Sequence, residues 1–216
     1  MPQANVIRWR DGAGWLVMCG GGDFASGETG EVEAEALTRV QPGDPIAYIW
    51  AAGDVETADK HLAELDDLGG PTGYLVDILT EDDDSLRQQL SGAGLIVIGD
   101  GPNLKALRSG LLGAALEGIG EAFERGAVIL GMGQSAALLG SWMENLEGIA
   151  WVEGAIIVTS YEHSDQPAHL HQLLLNHPKA YGLGIGSGSA LALGPNGEVE
   201  SWGDRKITIT LGKSFG

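Results

Sequence analysis

The sequence predicts an α/β protein: a mainly parallel central sheet with helices on both faces and added antiparallel strands at the C-terminal end. Short apolar runs alternate with amphipathic stretches of helical period. Glycine-bearing turns follow three of those runs, at 20–23, 99–103 and 131–136. Past residue 180 the strands lie close together around a Gly-Pro-Asn-Gly turn, with no helical stretch between them.

Each element has its own signal. Trp15–Cys19 is an unbroken apolar run, the mark of a strand covered on both faces. Glu31–Val40 reads as a helix and Ile46–Trp50 as the next strand. From Asp54 to Leu68, Val55, Ala58, Leu62 and Leu65 recur at helical spacing, and Gly69-Gly70 closes the helix. Tyr74–Ile78 is a strand, Asp83–Leu90 a short helix and Leu95–Ile98 a fourth strand. Leu104–Arg125 is helical with a break near Gly110 and Gly113, and Gly126 ends it. Ala127–Leu130 and Ala155–Val158 are strands, and Ala168–Asn176 is a helix. Tyr181–Ile185, Ala190–Leu193, Val199–Trp202 and Ile207–Leu211 read as an antiparallel meander.

One domain over residues 1–216 suits this length. A net charge of −18 repels nucleic acid and anionic membrane, which removes both as partners. The acidic groups at Glu31-Glu33-Glu35 and 81–84 read as solvated helix faces and starts. The single Cys19 rules out a disulfide framework or a multi-cysteine metal site, and reads as a buried structural thiol. The chain opens with no signal-peptide pattern and carries no apolar run of membrane-spanning length, so the expectation is a cytoplasmic protein. Six tryptophans suit a homodimer interface or core packing equally.

In open α/β sheets ligands bind beyond the carboxyl ends of the strands, and the three glycine turns fall there. "LGMGQSAALLG" (130–140) sets Ser135 among small residues between a strand and a helix. This fits a nucleophile elbow, whose crowding demands small neighbours, and equally a capped strand-to-helix turn. A serine nucleophile needs a base. His61 on a polar helix side and His177 at a helix end read as surface residues; His169 and His171 point to different faces and make a poor metal pair. His163, in the polar loop "TSYEHSDQPAH", follows a strand end and is the candidate base. An oxyanion hole takes backbone N–H donors, here from Ala136 after the serine and from Gly101 on the neighbouring turn. No metal or organic cofactor is required.

Taken in order, "VMCGGGDF" (17–24), "IVIGDGPNLKAL" (96–107), "GQSAAL" (133–138), "VTSYEHSDQPAHLHQLL" (158–174) and "AYGLGIGSGSALAL" (180–193) resemble the serine peptidase family of dipeptidase E and cyanophycinase. The resemblance spans residues 14–211, is closer to the cyanophycinase-like branch, and implies a class I glutamine-amidotransferase-like fold. It implies Ser135 as nucleophile, His163 as base, an oxyanion role for Gly101, and Asn103, Gln134, Gly22 and Asp23 beside the substrate, a peptide or small amide. For the third triad member it points to the region after the elbow, where Glu144 and Glu147 lie; Glu162 adjoins His163 but points to the opposite side of an extended segment. Glu147 is preferred.

The departures are specific. Ala137 stands for the elbow's second glycine and Gln134 for its Thr or Cys. The family's arginines after the histidine fall on His169 and Gln172, and the acidic pair of its hairpin on Gly186-Ser187-Gly188. Two readings therefore stand: a serine-type amide hydrolase, or an inactive relative that binds a small ligand or a protein partner in the same pocket. A glutamine amidotransferase would need cysteine at the elbow, and Cys19 ends the first strand instead.

Overall fold

The computed structural model describes residues 3–4, 6–162 and 164–215. A short pair, β1 (Gln3–Ala4) and β2 (Ile7–Trp9), precedes the run β3 (Trp15–Cys19), α1 (Gly30–Thr38), β4 (Ile46–Ile49), α2 (Val55–Asp67) and β5 (Gly73–Val76). Then follow α3 (Asp83–Ser91), β6 (Leu95–Ile98), α4 (Leu104–Leu111), α5 (Ala114–Arg125) and β7 (Val128–Gly131). The C-terminal part comprises β8 (Val152–Glu153), β9 (Ala155–Thr159), α6 (Gln166–Asn176), β10 (Tyr181–Ile185), β11 (Ser189–Leu193), β12 (Val199–Gly203) and β13 (Ile207–Leu211).

Seven strands form the central sheet in the order β12-β11-β3-β7-β6-β4-β5. From β3 to β5 all pairings are parallel, while β11 runs antiparallel to β3 and β12 antiparallel to β11. Alternate residues feed two cores. Leu16, Met18, Ile49, Ile96 and Ile129 pack on one face, and Val17, Cys19, Tyr48, Val97 and Leu130 on the other. Burial on both faces explains why these strands are continuous apolar runs, each such side chain contributing about 1.5–3 kcal/mol.

Helix starts follow from side-chain caps. Asp54 accepts from Thr57 N ahead of α2, Asp82 from Asp84 N and Ser85 N ahead of α3, and Asn103 from Ala106 N ahead of α4. Gly113, at φ +108°, makes the break between α4 and α5.

The expected meander is corrected. β10 and β11 follow one another in sequence but belong to different sheets, since β10 pairs with β9 in parallel and with β13 antiparallel. All five β10 residues are buried, so the strand fills the middle of a sheet of its own. β1, β2 and β8 make a third small sheet that the sequence did not announce; strands of two or three residues carry too little pattern to read.

A second correction concerns polarity. Glu33 and His61, both expected on wet faces, are buried. Glu33 Oε1 accepts from Thr29 Oγ1 and from His61 Nε2, each at 2.7 Å, and His61 Nδ1 lies 2.9 Å from the Tyr48 hydroxyl. Since a carboxylate only accepts, Nε2 carries a proton toward Glu33, and Nδ1 shares the second hydrogen bond with the Tyr48 hydroxyl. Phe24 stacks on the imidazole at 4.4 Å, which ties the turn after β3 to α2. A helical wheel shows only that 61 is polar, not that a partner lies 28 residues upstream.

Candidate active site

The ends of β3, β7 and β6 lie side by side, so the three glycine turns share one edge of the sheet. The turn after β7 is crowded. A Cβ on Gly131 would stand 2.9 Å from the Ala136 Cα, and Gly133 takes φ +50°. Beyond it, Gly133–Leu139 winds as a 3-10 helix. The strained residue at a nucleophile elbow is the one that projects into the site. In this turn that residue is Gly133.

Ser135 lies two residues further on and is fully buried. Its N–H donates to Met132 O at 3.1 Å, and its hydroxyl donates to Gly99 O at 2.6 Å. The hydroxyl ties the β7 turn to the end of β6; the fold does not present it to the cleft. The N-cap alternative fails as well, because Met132 occupies the cap position and makes no side-chain cap bond.

Two backbone donors do converge at this edge, and one is Gly101. The other is Gln134, which follows the strained glycine, in place of Ala136. Both donate to one atom, Asp100 Oδ1, Gly101 N at 2.7 Å and Gln134 N at 2.8 Å. The other carboxylate oxygen takes the room a side chain at 133 would need: a Cβ there would lie 2.0 Å from Asp100 Oδ2. The acid of "GDGPN" thus fills with its own carboxylate the place where oxyanion donors and nucleophile would meet. Asp100 is the site residue that sequence reasoning missed. The available signal was an acid inside a glycine turn directly after a buried strand.

Beside this centre opens a cleft of about 820 Å³. Asn103 and Gln134 line it from the β6 and β7 turns, Lys105 from the first turn of α4, Glu144 and Asn145 from the loop after the β7 turn, and Thr159, Ser160, Asp165 and His169 from the far wall. Ser160, at φ +50°, holds that wall to the first turn through its N–H to Gly20 O at 3.0 Å.

The other expected residues scatter. His163 lies outside the described residues. Glu147 is exposed, and its backbone carbonyl, rather than its carboxylate, is engaged, by Arg108 Nε. Glu144 is the carboxylate of that loop that lines the cleft. Glu162 accepts from Ser187 N at 2.9 Å. Asp23 turns inward on its own loop, accepting from Ala25 N, and its N–H donates to Glu28 Oε2. Glu28 also sits beside Gly22, which takes φ +136°. Cys19 is buried and its thiol pKa is pushed up to about 12: burial raises it most, a backbone hydrogen bond at Gly21 lowers it in part, and the charges of Glu33, Asp100 and Glu28 add smaller increases. Among the described residues no cluster of His, Cys, Asp and Glu is placed to hold a metal ion, and no helix is long and apolar enough to cross a membrane.

No family model matches the chain, and no curated protein matches it. Solved structures do. A peptidase from an acI-B1 Actinobacterium superposes with TM-score 0.76 at 20% identity, covering 94% of this chain and 93% of the other. A putative peptidase E protein from Listeria monocytogenes EGD-e superposes with TM-score 0.66 at 16% identity, covering 87% and 97%. At these identities the likeness establishes the architecture: this chain has the α/β fold of those peptidase structures.

Proposed function

We propose that this protein binds a small polar molecule on a peptidase-type fold without cleaving it. The reading rests on one observation: the paired donors Gly101 N and Gln134 N close on Asp100 Oδ1, with a glycine at the strained elbow position. Acyl transfer needs an exposed nucleophile within reach of an open pair of donors. Here the serine hydroxyl is committed to Gly99 O inside the protein, and the donors are already occupied.

The cleft lining indicates the ligand. Amides at Asn103, Gln134 and Asn145, hydroxyls at Thr159 and Ser160, and charges of both signs at Lys105, Glu144 and Asp165 suit a peptide or small amide, with Asn103 and Gln134 meeting its backbone. Neither a metal nor an organic cofactor enters this reading.

The test has two arms on the intact protein. A fluorophosphonate should leave Ser135 unmodified by mass spectrometry, while a short neutral dipeptide should shift the Asn103 and Gln134 side-chain amide signals saturably. Stoichiometric labelling of Ser135 would restore the hydrolase, and unshifted amides at millimolar dipeptide would remove the cleft as the binding site.

A further inference from the structure

The small sheet β13-β10-β9 has two unlike edges. β9 borders the cleft through Ile157, Val158 and Thr159, while β13 forms the far edge and pairs with no further strand among the described residues.

Pairing with β10 orients the backbone of that edge. Gly186 N donates to Lys206 O and Gly212 N to Ala180 O, in the register that sets Gly184 against Thr208 and Gly182 against Thr210. In an antiparallel ladder alternate residues turn their N–H and C=O to opposite sides. Residues 206, 208, 210 and 212 therefore face β10, and Ile207, Ile209 and Leu211 face outward. Ile207 N is taken by Arg205 O at 3.1 Å, which leaves the groups of Ile209 and Leu211 for a partner. Their side chains are open too, Ile209 being 48% exposed and Leu211 54%. An exposed edge of β-branched and apolar residues is a template for a further strand.

Charge decides which strand. Within 205–213 the chain carries Arg205, Lys206 and Lys213 and no acid, although acids outnumber bases by 30 to 12 overall. Lys206 is engaged by Asp204 at 2.8 Å, whereas Arg205 and Lys213 are exposed and make no ion pair among the described residues. The pattern Ile207-Thr208-Ile209-Thr210-Leu211 reads alike in both directions, so a second copy would match it antiparallel about Ile209. That pairing sets Arg205 of each copy opposite Lys213 of the other, and like charges directly opposite repel. Two bodies of net charge −18 repel as well. A strand with carboxylates at its two ends meets both cations instead and keeps the same apolar pairs.

We propose that the β13 edge binds an extended acidic peptide as an added strand, with its apolar side chains against Ile209 and Leu211 and its carboxylates at Arg205 and Lys213. This surface is separate from the cleft and does not rest on what the cleft binds.

The probe is a short capped peptide alternating valine and threonine with glutamates at both ends, titrated into the intact protein and followed by backbone amide NMR. The Ile209 and Leu211 amide signals should shift saturably, and their hydrogen exchange should slow. The same peptide with lysines at its ends should bind at least about tenfold more weakly. Arg205→Glu combined with Lys213→Glu should reverse that preference. Ile209→Pro removes an outward N–H while sparing the bonds to β10, and should weaken binding about fivefold. The charge-reversed variant serves if the proline variant folds poorly. No saturable shift at these two amides, equal affinity for both peptides, or full affinity for the glutamate peptide in either folded variant would overturn the proposal. A dimer in sedimentation that Ile209→Pro dissolves would overturn it too, by giving the edge to a second copy.

Discussion

Two polar clusters place carboxylates whose charges reach Tyr48, and they are built on opposite principles. In one, Glu33, His61, Thr29 and the Tyr48 hydroxyl satisfy each other in a sealed interior. In the other, Asp100 lies exposed at a loop, and its partners are two backbone amides already pointing into the site. Removing a member of the sealed cluster strands the remaining polar atoms away from water, and that costs much. Removing Asp100 returns two amides to solvent, and that costs little. The sealed cluster is therefore an element of stability, whereas the open one is free to be an element of recognition.

The largest expected effect tests that contrast directly. Glu33→Ala should lower unfolding stability by about 3 kcal/mol or more, because it leaves the His61 Nε2–H and the Thr29 hydroxyl without an acceptor. Asp100→Ala should change it by less than about 1 kcal/mol. Urea denaturation of both variants measures the difference, and equal losses would erase the distinction.

Reactivity sharpens the second cluster. Gly133→Ser alone should stay inert to fluorophosphonate, since its Cβ would stand 2.0 Å from Asp100 Oδ2. Combined with Asp100→Gly, which empties both the donor pair and that space, position 133 should become labelled. Labelling of the single variant would show that Asp100 yields easily.

A smaller effect concerns the serine. Ser135→Ala removes the hydroxyl from Gly99 O and should cost about 1–2 kcal/mol, with dipeptide binding in the cleft unchanged. Lost binding with intact stability would return Ser135 to the site.

The smallest is a pH effect from the helix caps. Asp54 and Asp82 are lowered below the usual carboxylate range, first by the backbone N–H of Thr57 and of Ser85 respectively, then by the hydroxyls of the same residues. A lowered folded-state pKa means stability that is present above the unfolded value and lost as pH falls through the folded one. The urea midpoint should therefore drop as pH is taken below about 4, and less so in Asp82→Ala. An identical acid profile in that variant would assign the loss to other carboxylates.

Much of the architecture was legible because its signals are local. Buried parallel strands are apolar runs, caps are side chains three residues from the amides they serve, and Gly113 breaks a helix by its own backbone. Of the residues expected at the site, Gly101 has an N–H that meets the β7 turn's donor on a shared acceptor, Asp100 Oδ1. In "GMGQS" both 133 and 135 are small, and spacing alone does not say that the positive φ falls on Gly133 while the Ser135 hydroxyl turns to Gly99 O. His61 and Glu33 were misread for a related reason, since their burial depends on each other and on Tyr48 across the sheet.

The sequence by itself therefore determined the α/β class, the order of the longer strands and helices, and the shared edge of the three glycine turns, all consequences of periodicity and turn chemistry. Tertiary structure alone decided that β10 and β11 part into separate sheets, that Ser135 faces inward, and that Asp100 closes the donor pair. Each of these outcomes turns on a contact between segments 22 or more residues apart, where no local pattern reaches.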